Sequence, residues 1–295
     1  MKKSRLFTIL IAIVVLLIGI GLINAFPYNE EYEDPITSSD ATLEVVFFNV
    51  GQGDCILLKT EGHNMLIDAG DIGKDKVILN YLAKYNVTNL DYIVATHPHS
   101  DHIGSMPSVI RAMDNVSMII MPDKTHTTKT FENLIDVIEE KDIAMTIPKS
   151  GDVFNLGDAS IQVLAPNSAT YKDINDYSIV LRVDFGDTSF LFTGDAETKS
   201  ESEQLGNSEK LLNGLPLKAD VLKVGHHGSR TSSTQKYLDA VSPSYAVISS
   251  GAKNTYGHPD NEVISRLNAM GIVIYRTDIN DTIIFTSDGK QIFIS

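Results

Sequence analysis

The stretch IVATHPHSDHIG at residues 93–104 decides how this sequence is interpreted. An apolar, β-branched run is followed at once by three of the chain's eight histidines, at His97, His99 and His102, with Asp101 among them. The apolar run predicts a buried strand, and the polar residues after it predict a loop at the end of that strand. A surface loop with ordinary histidines is the alternative, but the histidines here are far denser than in the rest of the chain.

The residue types in this loop are those that bind metal ions. Imidazole and carboxylate groups suit a borderline divalent ion such as zinc, and to lesser degrees manganese or iron. In an extended segment residues i and i+2 point to the same side, so His97 and His99 can share one ion. Asp101 and His102, one turn further along, can then bind a second ion.

Other strand ends carry the same residue types. His226 and His227 follow the apolar run VLKV, Asp195 follows FLFT, Asp68 follows MLI, and His258 lies in a turn beyond YAVIS. An aspartate in a glycine-flanked turn is ordinarily a turn former, so each position alone has a simple explanation. Together they predict one site at a shared edge of the sheets.

The rest of the body alternates strand-like and helix-like segments. A helix is predicted near residues 74–86, where apolar residues follow the i, i+3, i+4, i+7 rule and would face a sheet. The second half is richer in strands, and DFGD at 184–187 predicts a hairpin between two of them. The economical packing is an α/β fold of two β-sheets, each covered outside by helices, in one domain over residues 41–295.

The N-terminal residues 1–25 differ in composition from this body. Three basic residues precede a long uncharged apolar run, which is typical of a signal peptide or a membrane anchor with a cytoplasmic N-terminus. Residues 26–40 are acidic, contain two prolines and predict a solvated tether. We therefore expect the body to be extracellular, either anchored to the membrane or secreted.

Charge and cysteine content exclude some alternatives. The formal net charge is −14, and it becomes −17 without the three basic residues of the N-terminal segment. No broad basic surface is therefore available for nucleic acid, and a phosphate-bearing substrate would need a local cationic centre. The single cysteine, Cys55, excludes an intramolecular disulfide and is expected to be a small core residue.

A series of short blocks resembles the metallo-β-lactamase superfamily, and most of all the hydrolase domain of the ComEC competence proteins. The blocks, in order, are NVGQGDC (49–55), LIDAG (66–70), THPHSDHIG (96–104), NDYSIVLRV (175–183), LFTGDAE (191–197), LKVGHHGSRTSS (222–233) and YGHP (256–259). The resemblance implies an αββα sandwich with two mixed sheets and a site for two divalent ions, Zn²⁺ or Mn²⁺.

The resemblance also implies roles for individual residues. His97 and His99 would bind the first ion, while Asp101, His102 and His226 would bind the second. Asp195 would bridge the two ions, and Asp68 would orient the histidine-rich loop.

The chain departs from the superfamily pattern at one ligand. The superfamily usually supplies a further histidine between the HxHxDH loop and the bridging aspartate, yet no histidine occurs from 127 to 225. Asn175 or Asp176 of the NDYS block would then fill that place, weakly or through water. Oxygen ligands there would favour Mn²⁺, and the choice between zinc and manganese stays open.

A two-ion site suits hydrolysis of a phosphodiester, and the resemblance implies a phosphodiesterase or nuclease with DNA as the first candidate substrate and teichoic acid as another. Asp101, His227 and His258 are the expected catalytic residues, with Ser229, Arg230 and Lys253 expected to bind substrate. For the two basic residues a solvated surface position is the alternative. A phosphorylcholine esterase or other cell-envelope hydrolase is the second hypothesis, and a non-catalytic metal-binding or docking domain is the third.

Overall fold

Eight strands form the first of two mixed β-sheets in a computed structural model that describes residues 42–210 and 216–295. They are β1 (Leu43–Phe47), β2 (Ile56–Thr60), β3 (His63–Ile67), β4 (Asn89–Val94), β5 (Asn115–Ile120), β6 (Ala144–Thr146), β14 (Ile283–Ser287) and β15 (Ile292–Ile294). Across the sheet the order is β15-β14-β1-β2-β3-β4-β5-β6. The pairs β3–β4, β4–β5 and β5–β6 are parallel, so the ends of β3 and β4 lie at one edge.

Seven strands form the second sheet. They are β7 (Val153–Leu156), β8 (Ala159–Ala165), β9 (Val180–Phe185), β10 (Thr188–Phe192), β11 (Val221–Lys223), β12 (Tyr245–Ile248) and β13 (Val273–Arg276), in the order β13-β12-β11-β10-β9-β8-β7. Strands β9 and β10 pair antiparallel about the DFGD turn, which confirms the predicted hairpin. Strands β10 to β13 are parallel, so β10 and β11 end at a common edge.

Helices cover the outer face of each sheet. They are α1 (Asp75–Lys84), α2 (Ser100–Ile103), α3 (Met106–Ala112) and α4 (Lys129–Glu140) on the first sheet, then α5 (Thr198–Lys210), α6 (Gln235–Val241) and α7 (Asn261–Ala269) on the second. A short α8 (Thr277–Asn280) joins β13 to β14. Helix α1 confirms the predicted helix, and its Ile78 and Leu82 are buried against the first sheet. The α/β sandwich of two helix-covered sheets predicted from the sequence is therefore confirmed.

The central core lies between the two sheets. Alternation along β1 sends Val45 and Phe47 into this core and Val46 into the layer beneath the helices. The ring of Phe47 lies 6.1 Å from that of Phe192 in the second sheet and 5.9 Å from that of Phe285. Burial of each such ring contributes roughly 1.5–3 kcal/mol, and the contact of Phe47 with Phe192 packs the two sheets together.

The predictions for residues 1–25 and 26–40 lie outside the described residues and stay predictions. None of the helices in the described ranges has both the length and the apolar character needed to cross a membrane.

Candidate metal centre

Four parallel strands, two in each sheet, deliver the predicted site residues to one edge of the sandwich. Asp68 follows β3 and His97 follows β4, while Asp195 and His226 follow β10 and β11. Helix α2 begins directly after His99, so its single turn carries Asp101 and His102 of the loop. The two sheets thus each contribute half of one polar cluster.

Four side chains at this edge form a compact group that can bind a metal ion. The donor atoms of Asp101, His102, Asp195 and His227 all lie within 4.8 Å of one another. Oδ2 of Asp195 lies 3.3 Å from Nε2 of His102 and 3.4 Å from Nε2 of His227. Oδ2 of Asp101 lies 3.2 Å from the same nitrogen of His227. Imidazole nitrogens and carboxylate oxygens that face one point are a suitable ligand set for a divalent cation.

Unpaired buried atoms show that this group fits a cation. Within the described residues, Nε2 of His102 and Oδ1 of Asp195 are buried and have no hydrogen-bond partner. Such atoms are costly in a folded protein unless something else binds them. Burial opposes the charged form of His102, yet the carboxylates of Asp195, Asp68 and Asp101 raise its pKa well above the ordinary value. The cluster therefore attracts positive charge.

The first two histidines of the loop lie together beside the same carboxylate. Nε2 of His97 lies 3.0 Å from Nδ1 of His99 and 3.9 Å from Oδ2 of Asp195. Burial is the main reason that the pKa of His97 is well below its ordinary value, and burial also lowers the pKa of His99. Both rings are therefore neutral near pH 7, which is the form that binds metal.

His226 and His227 both reach Asp195, but they do so differently. Both have positive φ angles, 48° and 53°, which turn two successive rings towards the carboxylate. His227 belongs to the four-residue group, whereas Nε2 of His226 lies 3.7 Å from Oδ2 of Asp195 and its Nδ1 lies 3.0 Å from Glu197. The structure puts Nε2 of His227 3.2 Å from Oδ2 of Asp101, whereas the resemblance implied His226 as a ligand of the ion that Asp101 binds. The ligand assignment itself stays a prediction.

Asp68 lies behind the loop that it was expected to orient. Its carboxylate accepts hydrogen bonds from the backbone N–H and the hydroxyl of Thr96, at 2.8 and 2.7 Å. Its Oδ2 also lies 2.6 Å from Nδ1 of His102, which directs the Nε2 of that ring at the cluster.

Comparisons with known proteins agree with this geometry. Residues 48–252 match the family described as the metallo-beta-lactamase superfamily. The chain belongs to the metallo-beta-lactamase superfamily. Superfamily members are metal-dependent hydrolases, and the His and Asp cluster of this chain is able to bind metal ions.

Competence proteins are among the relatives of this superfamily member. ComE operon protein 3 of Bacillus subtilis is 30% identical over 269 residues, which cover 84% of this chain and 33% of that protein. Competence protein ComA of Neisseria gonorrhoeae is 32% identical over 242 residues, which cover 82% of this chain and 32% of that protein. Similarity to the ComEC family is thereby confirmed, and the chain spans about a third of the length of these relatives.

Solved structures of superfamily members share the fold at low identity. The metallo-beta-lactamase fold protein YhfI from Bacillus subtilis is 11% identical, with a TM-score of 0.55 over 87% of this chain and 100% of that one. Tm1679, a metal-dependent hydrolase of the beta-lactamase superfamily, is 13% identical, with a TM-score of 0.53 over 81% of this chain and 98% of that one. The fold predicted from the superfamily resemblance is confirmed.

Asn175 and Asp176, the two candidates for the missing superfamily ligand, have different surroundings. Oδ1 of Asn175 is buried without a hydrogen-bond partner in the described ranges, and its Nδ2 lies 3.5 Å from Nδ1 of His226. Asp176 instead accepts hydrogen bonds from the backbone N–H groups of Glu197 and Ser200 at the start of α5. Asn175 is thus the better placed of the two to add an oxygen ligand.

Two charged residues that lie behind the four-residue group were not predicted from the sequence. Asp54 and Lys223 are fully buried, and Oδ2 of Asp54 lies 2.5 Å from Nζ of Lys223. Oδ1 of Asp54 lies 3.5 Å from Nδ1 of His227. Burial opposes ionisation of Asp54, but Lys223 and His227 lower its pKa to about 2. A lysine inside the apolar run VLKV was the one signal that the sequence offered.

A cleft of about 270 Å³ opens over the cluster. Its lining residues are Gln52, His99, Ser100, Asp101, Asp195, His226, His227, Tyr256 and His258. The ring of His258 lies 5.4 Å from that of His226, so this predicted catalytic residue does reach the site. Gln52 and Tyr256 were not among the predicted site residues.

The three predicted substrate-binding residues lie outside the cleft lining. Ser229 is buried and its hydroxyl is 2.9 Å from that of Thr231. Arg230 is exposed and its Nε is 2.8 Å from Asp260. Lys253 is exposed on the loop that carries Tyr256. Their part in substrate binding stays a prediction.

Proposed function

We propose that this protein is a phosphodiesterase that uses two divalent metal ions, with DNA as its first candidate substrate. The observation that carries the proposal is the convergence of histidine nitrogens from both sheets on Oδ2 of Asp195. Nitrogens of His97, His102, His226 and His227 lie 3.3–3.9 Å from this one oxygen. An oxygen surrounded in this way is suited to bridge two cations.

Different residues around this oxygen would bind the cations and the phosphate. Two bound cations would lower the pKa of a water molecule and neutralise the charge of a phosphodiester. Asp101 and His227 would hold one cation and fix its position, whereas the sequence predicted that His227 would protonate the leaving group or bind phosphate. Burial lowers the pKa of His258, which makes its ring neutral near pH 7. This ring would then donate a hydrogen bond to a phosphate oxygen at the edge of the cleft.

The cellular setting is part of the same proposal. The apolar residues 1–25 support export, with the body either anchored to the membrane or secreted. The similarity to competence proteins supports DNA over other phosphodiesters. Because the chain covers about a third of those proteins, their full activities remain proposals for this chain.

Hydrolysis of bis-p-nitrophenyl phosphate tests the proposal directly. We expect turnover by the full chain with Mn²⁺ or Zn²⁺ and loss of at least about 10²-fold in kcat/KM for Asp101→Ala. Asp158→Ala is the matched control, because Asp158 is exposed in the turn between β7 and β8. A chain that binds metal but gives no turnover with either ion would instead support the docking-domain hypothesis.

A second assay separates the substrates. Linear and circular DNA, teichoic acid, a phosphorylcholine ester and a cephalosporin are offered in parallel to the metal-loaded chain. Preference for DNA supports the proposal, and preference for the phosphorylcholine ester favours the cell-envelope hydrolase.

A further inference from the structure

Tyr256 is a large aromatic residue that the fold leaves exposed at the rim of the active-site cleft. It is 69% exposed, yet it lines the same cleft as Asp101 and Asp195. It belongs to none of the three hydrophobic clusters formed by the described residues. Packing of the core therefore does not account for this ring.

The ring is supported from one side by an imidazole. Its centroid lies 5.9 Å from that of His258, with 24° between the ring planes. The ring of His258 in turn meets His226 edge to face at 5.4 Å. A short series of rings thus leads from the metal centre to the surface, and the exposed face of Tyr256 ends it.

The loop that carries the ring is already ordered by one side chain. Oδ1 of Asn254 accepts hydrogen bonds from the backbone N–H groups of Tyr256, at 3.2 Å, and of His258, at 3.0 Å. Its Nδ2 donates to the carbonyls of Gly251, at 2.9 Å, and of His258, at 2.5 Å. A ligand that binds the ring has little loop ordering left to induce.

The charge of the protein argues for contacts that do not depend on phosphate neutralisation. The net charge is −14, and Arg230 near the site is already paired with Asp260 at 2.8 Å. Lys253 is one exposed cation on the loop that carries Tyr256, but the acidic surface as a whole offers little to a polyanionic substrate. Stacking of a base on an aromatic ring works without net charge.

We propose that Tyr256 is a platform on which a base of a single-stranded nucleic-acid substrate stacks while the adjoining phosphodiester lies at the Asp195 cluster. This inference rests on the proposed phosphodiesterase function and names its substrate class. Tyr256 touches the substrate and not the metal ions, so it governs affinity and the choice of substrate.

Paired oligonucleotides test the platform. The metal-loaded chain and Tyr256→Ala are assayed on a short oligothymidylate and on the same strand with abasic residues. We expect KM for the oligothymidylate to rise at least about five-fold in Tyr256→Ala, with kcat little changed and no change on the abasic strand. Tyr256→Phe and Tyr256→Trp keep the wild-type KM because they keep an aromatic face.

Matched controls separate stacking from a general loss of structure. Phe293→Ala removes an exposed aromatic ring on β15, outside the cleft lining, and is expected to leave KM for both strands unchanged. The ratio of the Tyr256→Ala and wild-type KM values stays constant as salt is raised, because the lost contact carries no charge. An equal rise in KM on the base-bearing and abasic strands, or no rise on either, overturns the platform.

Binding without turnover distinguishes this inference from the proposed function. Fluorescence anisotropy with a labelled, hydrolysis-resistant oligothymidylate and the metal-loaded chain reports binding without turnover, and the weaker binding expected of Tyr256→Ala supports the platform. A wild-type chain that binds no oligonucleotide but hydrolyses bis-p-nitrophenyl phosphate overturns the platform and keeps the phosphodiesterase. If Tyr256→Ala instead raises KM for a phosphorylcholine ester alone, the ring recognises a quaternary ammonium group and the platform is wrong.

Discussion

Two buried charged residues, Asp54 and Lys223, lie directly behind the four-residue group. Nζ of Lys223 lies 2.5 Å from Asp54 and donates to the carbonyl of Gly194, the residue before Asp195, at 3.2 Å. The carboxylate of Asp54 also faces Nδ1 of His227 at 3.5 Å. This pair thus connects the backbone beside Asp195 to the imidazole of His227, two members of the four-residue group.

Removing the carboxylate of Asp54 should destabilise the protein and change its response to acid. Asp54→Asn removes the carboxylate that pairs with the buried Nζ of Lys223, which costs about 3–5 kcal/mol of unfolding free energy at pH 7. The pKa of Asp54 falls from 3.8 to about 2 on folding, so its contribution is present above pH 3.8 and is lost as pH falls towards 2. Urea unfolding between neutral pH and pH 2 measures both effects.

Asp54→Asn should therefore lose less unfolding free energy than the wild type as the pH falls from neutral to pH 2. Asp158→Asn, in an exposed turn, serves as the control and should leave the unfolding free energy within about 0.5 kcal/mol of wild type. If Asp54→Asn behaves like this control, the buried pair does not have the role assigned to it.

At the scale of elements, the turn between β1 and β2 fixes the position of α2. The backbone N–H of Asp54 donates to the carbonyl of Asp101 at 3.2 Å. Gly53 has a φ of +116°, and a Cβ there would lie 2.2 Å from that same carbonyl oxygen. The turn can approach α2 this closely only because residue 53 has no side chain.

Gly53→Ala should displace α2 and with it Asp101. We expect kcat/KM on bis-p-nitrophenyl phosphate to fall at least about 10²-fold, because a shift of about 1 Å in a catalytic group has that effect. Gly62→Ala provides the comparison, since Gly62 has a φ of +77° but no atom of the described residues lies within 4 Å of the place that an added methyl group would take. Equal losses in the two variants would mean that backbone strain, and not the contact with Asp101, is responsible.

At the scale of the whole molecule, the metal centre connects the two sheets. His97 and Asp101 follow β4 of the first sheet, whereas Asp195 and His227 follow β10 and β11 of the second. A cation bound between them would contact both layers, and this binding site exists only in the folded protein. Metal binding is therefore linked to the stability of the sandwich.

Metal ions should raise the melting temperature, and a chelator should lower it. A free ion concentration about 100 times the dissociation constant adds about 2.7 kcal/mol of stability. Calorimetric melting with Zn²⁺, Mn²⁺ or EDTA measures the effect, and Asp195→Asn should lose most of it. If Zn²⁺, Mn²⁺ and EDTA all leave the melting temperature of the wild type unchanged, the site does not join the two sheets.

The fold was largely predictable because its strands are short apolar runs with regular alternation. The hairpin at DFGD and the amphipathic helix α1 depend on residues that are neighbours in the chain, so local patterns were sufficient for both. The candidate site was predictable in part for a related reason, since parallel strands must end at a common edge.

The layers of this protein, and most of the histidines and aspartates that meet at their edge, could be predicted from the sequence, because periodicity and strand-end position are local properties. Only the tertiary structure decided which neighbour, His226 or His227, joins Asp101, since two successive positive φ angles turn the rings there. It also decided that Asp54 and Lys223 pair behind the site and that Tyr256 is exposed at its rim. Those features depend on contacts between distant segments, which no local pattern encodes.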